Sequence, residues 1–126
     1  MANTSTLQST TFIQDRKRSK TWTVFTYKIV IDTINSDLDI RAADPTKHAG
    51  LVAHHGVPAG AGDLIFKSGT TQLCKLGFAA NQGIDYRIGP PILWSEKNQA
   101  LVIRSGVVLD SFLVSIVEWA KEMPSL

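Results

Sequence analysis

The segment that most constrains the fold is the apolar stretch NQALVIRSGVVLDSFLVSIVEW, residues 98–119. Val, Ile, Phe and Trp dominate its second half, and these side chains lose rotamer freedom in a helix but pack well on a pleated sheet. In a strand, one face would carry Leu113, Ser115, Val117 and Trp119, and the other Phe112, Val114 and Ile116. Both faces are apolar, which predicts a central strand whose second face is covered by a symmetry-related subunit.

A helix is the alternative for residues 107–122. Asp110 or Ser111 can cap it and Pro124 can end it. Its apolar positions would be Leu109, Phe112, Leu113, Ile116, Val117, Ala120 and Met123. Composition favours the strand, but periodicity alone does not separate the two structures in a short apolar run, so both stay open at this point.

The chain between residue 20 and this segment is predicted to form short strands separated by turns. TWTVFTYKIVID, residues 21–32, has β-branched and aromatic residues on both faces, which predicts another central strand. The tetrad SEKN is predicted to close a hairpin between PILWS and QALVIRS. Further short segments recur at intervals of about eight to twelve residues. This pattern predicts an all-β domain over residues 21–126, a compact antiparallel β-sandwich or jelly-roll-like barrel.

Residues 1–20 have a different composition and are predicted to form an extended N-terminal arm. MANTSTLQSTTFIQ is rich in Ser, Thr, Asn and Gln and has little to bury. The arm has four basic residues, Arg16, Lys17, Arg18 and Lys20, and one acidic residue, Asp15. Its net charge is therefore +3 and that of the remaining residues is −1, which together give the chain's net charge of +2. The arm is therefore expected to contact neighbouring subunits, an acidic protein surface or nucleic acid phosphates.

Length and composition exclude several other classes. The 126 residues and 13.8 kDa fit one domain, and 44% hydrophobic with 19% charged residues is typical of a folded globular protein. No apolar run is long enough to span a bilayer, and the N-terminus lacks the apolar region of a secretory signal, which predicts synthesis in a cytoplasm. Cys74 is the single cysteine and is expected to be a buried, inert thiol.

No motif predicts an enzyme, a metal site or a cofactor. GAGDLIF leads into a strand instead of opening a helix, so it does not fit a dinucleotide fingerprint. His54 and His55 would point to opposite faces of a strand and could not bind one ion together. A calcium loop would require a spacing of carboxylates that is not found at Asp37, Asp39 and Asp44. We expect no catalytic residue, no metal and no cofactor.

The layout of the chain resembles a family of virion proteins. The succession KIVIDTINSDLDIRAADP, GVPAGAGDLIF, GIDYRIGPPILW and NQALVIRSGVVLDSFLVSIVEW, within residues 21–119, is similar to the small β-sandwich decoration or cement proteins of tailed bacteriophages and to related head-fibre domains. The resemblance lies in the order of strands, polar turns and proline–glycine loops, and includes no diagnostic motif.

The resemblance implies a structural virion protein that stabilises a phage capsid as a homotrimer. Its partners would be further copies of itself and the major capsid protein or another virion protein, and its location the virion after synthesis in the host cytoplasm. The resemblance also implies roles for six residues. The arm would contact neighbouring subunits through Arg16, Lys17, Arg18 and Lys20, and the subunit interface would include Trp94 and Trp119. The chain departs from the family in lacking an acidic or glycine-rich feature that would mark the contact with the shell.

Two other functions remain open. The first is a small β-sandwich lectin or membrane-binding cytolysin, similar in layout to aegerolysins and actinoporin-like proteins, in which Trp22, Phe25 and Tyr27 would touch lipid. Most aromatic residues lie within strand patterns instead of loops, which disfavours it. The second is a small coat protein that packages nucleic acid through RKRSK, although no aromatic residue interleaves the basic run.

Overall fold

The computed structural model of the protein describes residues 3–15, 20–58, 60–86 and 93–119. These residues form ten strands and no helix, arranged in two antiparallel sheets. The all-β sandwich prediction is therefore confirmed. In chain order the strands are β1 (Thr4–Asp15), β2 (Lys20–Ile31), β3 (Asp37–Arg41), β4 (His48–Gly56), β5 (Gly62–Ser68), β6 (Thr71–Phe78), β7 (Ile84–Tyr86), β8 (Leu93–Ser95), β9 (Leu101–Ser105) and β10 (Leu109–Trp119).

The sheets have the strand order of an eight-stranded jelly roll with two strands added, β1 and β8. Sheet A runs β1-β2-β10-β4-β7, with β8 also paired to β4, and sheet B runs β3-β9-β5-β6. From β2 to β5 each successive strand changes sheet, and β9 and β10 again lie in different sheets. This alternation distinguishes the double-sheet jelly roll from a simple meander. Strand β1 lies outside it, as an extra strand at the edge of sheet A.

The main core lies between the two sheets and follows from the period-two alternation along each strand. Phe66 from sheet B and Phe112 from sheet A are its largest fully buried side chains. Ile29 and Ile31 on β2 and Ile116 on β10 are completely buried. Other members of this core are Ile40, Ala49, Leu51, Leu64, Phe78, Leu93, Leu101, Ile103, Leu109 and Val114.

Strand β10 is central, as its two apolar faces predict. It pairs with β2 on one side and with β4 on the other. Phe112, Val114 and Ile116 face the main core, whereas Val117 and Trp119 belong to a second cluster on the opposite face. The strand interpretation of the segment is confirmed over Leu109–Trp119, and residues 120–122 of the predicted range lie outside the described residues.

The N-terminal segment differs from the predicted arm. Residues Thr4–Asp15 form β1 and pair with β2 along its whole length, from Thr4 opposite Val30 to Asp15 opposite Lys20. Asn3 fixes the start of this strand, because its Oδ1 accepts hydrogen bonds from the backbone N–H groups of Asp32 and Thr33, both at 2.8 Å. A polar composition therefore did not prevent strand formation, because backbone hydrogen bonds to β2 require no apolar side chain.

The predicted hairpin around SEKN is wrong. Strand β8 pairs with β4 in sheet A, whereas β9 pairs with β3 and β5 in sheet B. Residues 96–100 therefore carry the chain from one sheet to the other. Asn98 adopts a φ of 62° there, and its backbone N–H donates to the Asp44 carbonyl oxygen at 2.8 Å. Asn tolerates this left-handed conformation better than most residues, which suits it to such a corner.

Candidate interaction surface

The outer face of sheet A carries a cluster of tryptophans and valines, which we call the tryptophan cluster. Val117 on β10 lies directly opposite Val24 on β2, and both are buried on the face that points away from the main core. Val52 and Trp119 are buried beside them, and Trp22 and Trp94 are half-buried at the margin. The full cluster is Trp22, Val24, Val52, Trp94, Val117 and Trp119.

A β-bulge helps to form this cluster. In the pairing of β10 with β4, Ser115 lies opposite Ala53 and Ile116 opposite Leu51, so Val52 is an extra residue on β4. A bulge changes the direction of the side chains beside it. Val52 consequently lies on the outer face with the tryptophans, while Leu51 remains fully buried in the main core.

Trp119 is the most enclosed of the three tryptophans, with 6% of its surface exposed. Its ring stacks on His48, with 5.5 Å between centroids and 21° between planes. The Nδ1 atom of His48 lies 3.0 Å from the carbonyl oxygen of Ser95. The indole Nε1 of Trp119 is buried and has no hydrogen-bond partner among the described residues. Trp119, predicted as an interface aromatic, is thus already largely covered within one chain.

Trp94, the second predicted interface aromatic, lies on β8 and remains half-buried. Its neighbours Leu93 and Ser95 point the other way and are buried. Gly50 lies opposite both Trp94 and Val117 in the two ladders of β4. The structure therefore brings Trp94 and Trp119 into one cluster, a relationship that their separation of 25 positions does not reveal.

The predicted arm contacts lie mostly beyond the part of the chain that the structure describes. Arg16, Lys17 and Arg18 are outside the described residues. Lys20 is the first residue of β2 and its backbone pairs with Asp15 at the end of β1. The basic run thus occupies the connection between two long paired strands, and β2 pairs with β10 only from Val24 onward.

Among the side chains of β1 that the structure describes, two large apolar ones are exposed. Phe12 is 71% exposed and Leu7 is 49% exposed. Leu7 lies opposite Tyr27, and Phe12 lies opposite Thr23. Leu7 and Phe12 are therefore on the same face of sheet A as the main-core residues Ile29 and Ile31 of β2. These residues were not predicted as a site, although apolar letters in a Ser/Thr-rich segment were a visible signal. Their common face depends on a bulge after Leu7 that the sequence does not reveal.

The polar residues considered for chemistry do not converge. His54 is buried between Phe66 and Phe112, whereas His55 is exposed, so the predicted opposite faces are confirmed. Asp44 accepts hydrogen bonds from the backbone N–H and hydroxyl of Thr46, and these lower the pKa of its carboxyl. Within the described residues, no three His, Cys, Asp or Glu side chains are grouped closely enough to hold a metal ion.

The comparisons with known proteins give no relative. No protein-family model, curated protein or solved structure matches the chain. Over the described ranges there is also no helix of the length and apolarity required to cross a membrane.

Proposed function

We propose that this protein is a structural virion protein that decorates and stabilises a phage capsid as a homo-oligomer, with the trimer as its functional unit. The observation that carries the proposal is the tryptophan cluster on the outer face of sheet A. The outer face of an antiparallel sheet normally carries polar side chains facing water. Here three tryptophans and three valines occupy it, and aromatic residues are enriched where subunits meet.

The half-buried Trp22 and Trp94 are the part of this cluster that a neighbouring subunit could cover. Trp119 and the three valines are already buried within one chain, so they add little contact area of their own. An apolar surface on the neighbouring subunit would bury the exposed parts of Trp22 and Trp94. Closed cyclic symmetry would repeat this contact at every subunit.

The fold is compatible with this function but does not select it. Jelly rolls occur in viral capsid proteins, in lectins and in cupins, so fold alone is an argument by analogy. The basic run between β1 and β2 supplies the second element of the proposal. This run would attach the oligomer to an acidic surface of the shell through its four basic residues, Arg16, Lys17, Arg18 and Lys20. Such charge–charge interactions are weakened by salt.

The oligomer is tested by light scattering after size exclusion. The parent chain should have the mass of a multiple of three 13.8 kDa chains, and Trp94→Thr should reduce it. Leu76→Thr is the matched control, because Leu76 is also half-buried but lies on β6 of sheet B, away from the tryptophan cluster. Circular dichroism verifies that both variants fold. A parent that remains monomeric at every concentration overturns the trimer.

The attachment is tested without deleting residues 1–20, because that deletion would remove β1 from sheet A. Instead, Arg16, Lys17, Arg18 and Lys20 are all replaced by Gln. Antibodies against the parent protein should label intact virions, and added protein should sediment with those virions at low salt. Binding should weaken in about 0.5 M salt and in the Gln variant. Binding that is indifferent to both changes contradicts the attachment mechanism.

A lectin-like function is the second candidate, because Trp22 and Trp94 are half-buried at the margin of one cluster. Aromatic rings at a surface can pack against the apolar face of a sugar, and jelly rolls include lectins. A glycan array distinguishes the two functions. Binding of a monomer to a glycan, abolished by Trp94→Thr, would replace the virion proposal.

A further inference from the structure

Strand β1 has an unusually unprotected free edge. Over the described residues it pairs with β2 on one side, and no strand pairs with its other side. Natural proteins usually protect such edges with lysines, prolines, short strands or covering loops. Strand β1 is twelve residues long and has neither a proline nor any charged residue before Asp15. Its free backbone N–H and C=O groups can therefore accept another strand.

A bulge brings the two exposed apolar side chains of this strand onto one face. Leu7 lies opposite Tyr27 and Ser9 opposite Thr26, so Gln8 is an extra residue on β1. Leu7 and Phe12 are five residues apart in sequence but four positions apart in the ladder. Alternation then places both on the same face, although an odd separation would normally place them on opposite faces.

This spacing makes the edge self-complementary. A two-fold axis perpendicular to the sheet would bring β1 of a second copy alongside in antiparallel orientation. If the axis passes midway between Thr10 and Thr10 of the second copy, the ladder positions place Leu7 opposite Phe12 of the second copy, and Phe12 opposite its Leu7. Because the axis keeps the two faces of the sheet on their own sides, both pairs lie on one face. Directly opposed side chains have Cβ atoms about 5 Å apart, so each pair would be in contact.

Charge does not oppose this pairing. Asp15 is the only charged residue of β1 and, in the same register, lies opposite Thr4 of the second copy. The uncharged residues Ser9, Thr10 and Thr11 lie at the centre, where like charges would face each other most directly. The pairing would join two copies of sheet A into one continuous sheet.

We propose that β1 is a dimerisation edge that pairs with β1 of a second copy, centred on Thr10. The contact is isologous, so it closes after two copies and does not propagate into a fibre. It uses a different surface from the tryptophan cluster and does not depend on the trimer. Where both contacts form, the two-fold pairing links one trimer to another. A single strand pair is small for a protein interface, so we expect a micromolar dissociation constant.

Cysteine cross-linking tests the register. In a Cys74→Ser background, Thr10→Cys should form a disulfide-linked dimer under mild oxidation, because opposed strand positions meet the geometry of a disulfide. Thr6→Cys is the matched control: Thr6 is also exposed on β1, but its own copy would lie about 20 Å away at about 3.4 Å per residue. Leu7→Cys and Phe12→Cys should not cross-link alone but should cross-link when mixed. Equal cross-linking at Thr6 and Thr10, or none at Thr10, overturns the proposal.

Light scattering separates this contact from the trimer. Thr10→Lys places two positive charges opposite each other at the axis and should dissociate the β1 contact. A parent hexamer that becomes a trimer supports both contacts. A parent dimer that becomes a monomer supports the β1 pairing and contradicts the trimer. If Thr10→Lys has the same mass as the parent, the β1 pairing is contradicted. Pairing of β1 with a strand of another protein, instead of a second copy, would also contradict it.

Discussion

Arg41 on β3 and Glu118 on β10 form a largely buried ion pair that joins the two sheets of the sandwich. The Arg41 Nε–H donates to Glu118 Oε2 at 2.8 Å, and the side chains are 7% and 19% exposed. The guanidinium also donates to the carbonyl oxygens of Ala42 at 3.0 Å and Lys47 at 3.3 Å. Arg41 is buried with its charge paired, although the segment LDIRAA alternates apolar and polar residues as a half-solvated strand does.

Removing one partner of this pair should destabilise the fold strongly. Glu118→Ala leaves the buried Arg41 guanidinium without a counter-charge, and we expect a loss of about 3 kcal/mol in the free energy of unfolding, measured by urea denaturation. Replacing both residues, with Arg41→Met and Glu118→Leu, should restore most of the loss because no buried charge remains.

The control for this prediction is the exposed pair of Lys75 and Asp63. Their charged atoms lie 3.4 Å apart and the side chains are 53% and 49% exposed. Lys75→Ala should cost less than about 1 kcal/mol, because water screens an exposed pair. An equal loss from Glu118→Ala and Lys75→Ala would show that Arg41 is not held by its ion pair.

Gly56 at the end of β4 is required by close packing against Phe112. A Cβ at position 56 would lie 2.2 Å from Cδ1 and 2.9 Å from Cε1 of Phe112, whose side chain is only 2% exposed. Gly56→Ala should therefore cost about 1–3 kcal/mol in urea denaturation, through displacement of a buried ring.

Two further variants test the cause of that loss. At Gly77 a Cβ would meet Asp63 Oδ1 at 3.6 Å, an ordinary contact, so Gly77→Ala should be nearly neutral. Adding Phe112→Leu to Gly56→Ala should cost less than the sum of the two single changes, because the smaller side chain relieves the clash. Strict additivity would mean that the clash with Phe112 is not the cause.

The sequence predicted the strands and their faces better than it predicted their partners. Alternation is a local property, so the opposite faces of Val114 and Val117, or of His54 and His55, could be assigned from the residue order alone. The partner of a strand depends on residues far along the chain. A connection such as residues 96–100 fits a hairpin as well as a crossing between sheets, and only the second occurs.

The candidate surfaces were predictable only in part, for the same reason. Trp94 and Trp119 were visible as aromatic residues, but their meeting with Val24 requires the order of β2, β10, β4 and β8. The shared face of Leu7 and Phe12 depends on the bulge at Gln8. The sequence pattern does not mark a bulge, because one extra polar residue in a polar strand leaves no break in alternation.

Cys74 should react slowly while the protein is folded. It lies on β6, half-buried and packed against the main core, and burial raises the pKa of its thiol. Because the thiolate is the reactive form, a raised pKa lowers the reactive fraction at pH 8. We expect Cys74 to react more slowly with Ellman's reagent in buffer than in urea. Equal rates would contradict this, and Cys74→Ser should give no signal in either condition.

The ionisation of Tyr27 should make the fold less stable in alkali. Burial raises the pKa of Tyr27, and the negative charge of Glu118 raises it further, while Arg41 opposes the shift. The unfolded chain therefore loses this proton at a lower pH than the folded chain. Between the two pKa values the folded state holds more protons, so stability falls as pH rises above about 10 and the fall ends above the folded pKa. Tyr27→Phe removes this contribution, and its melting temperature should fall less steeply than that of the parent between pH 9 and pH 11.

The difference in melting temperature between the two proteins should be constant below pH 9, where Tyr27 is protonated in both the folded and the unfolded state. Parallel curves over the whole range would show that Tyr27 ionises equally readily in the folded and unfolded chains.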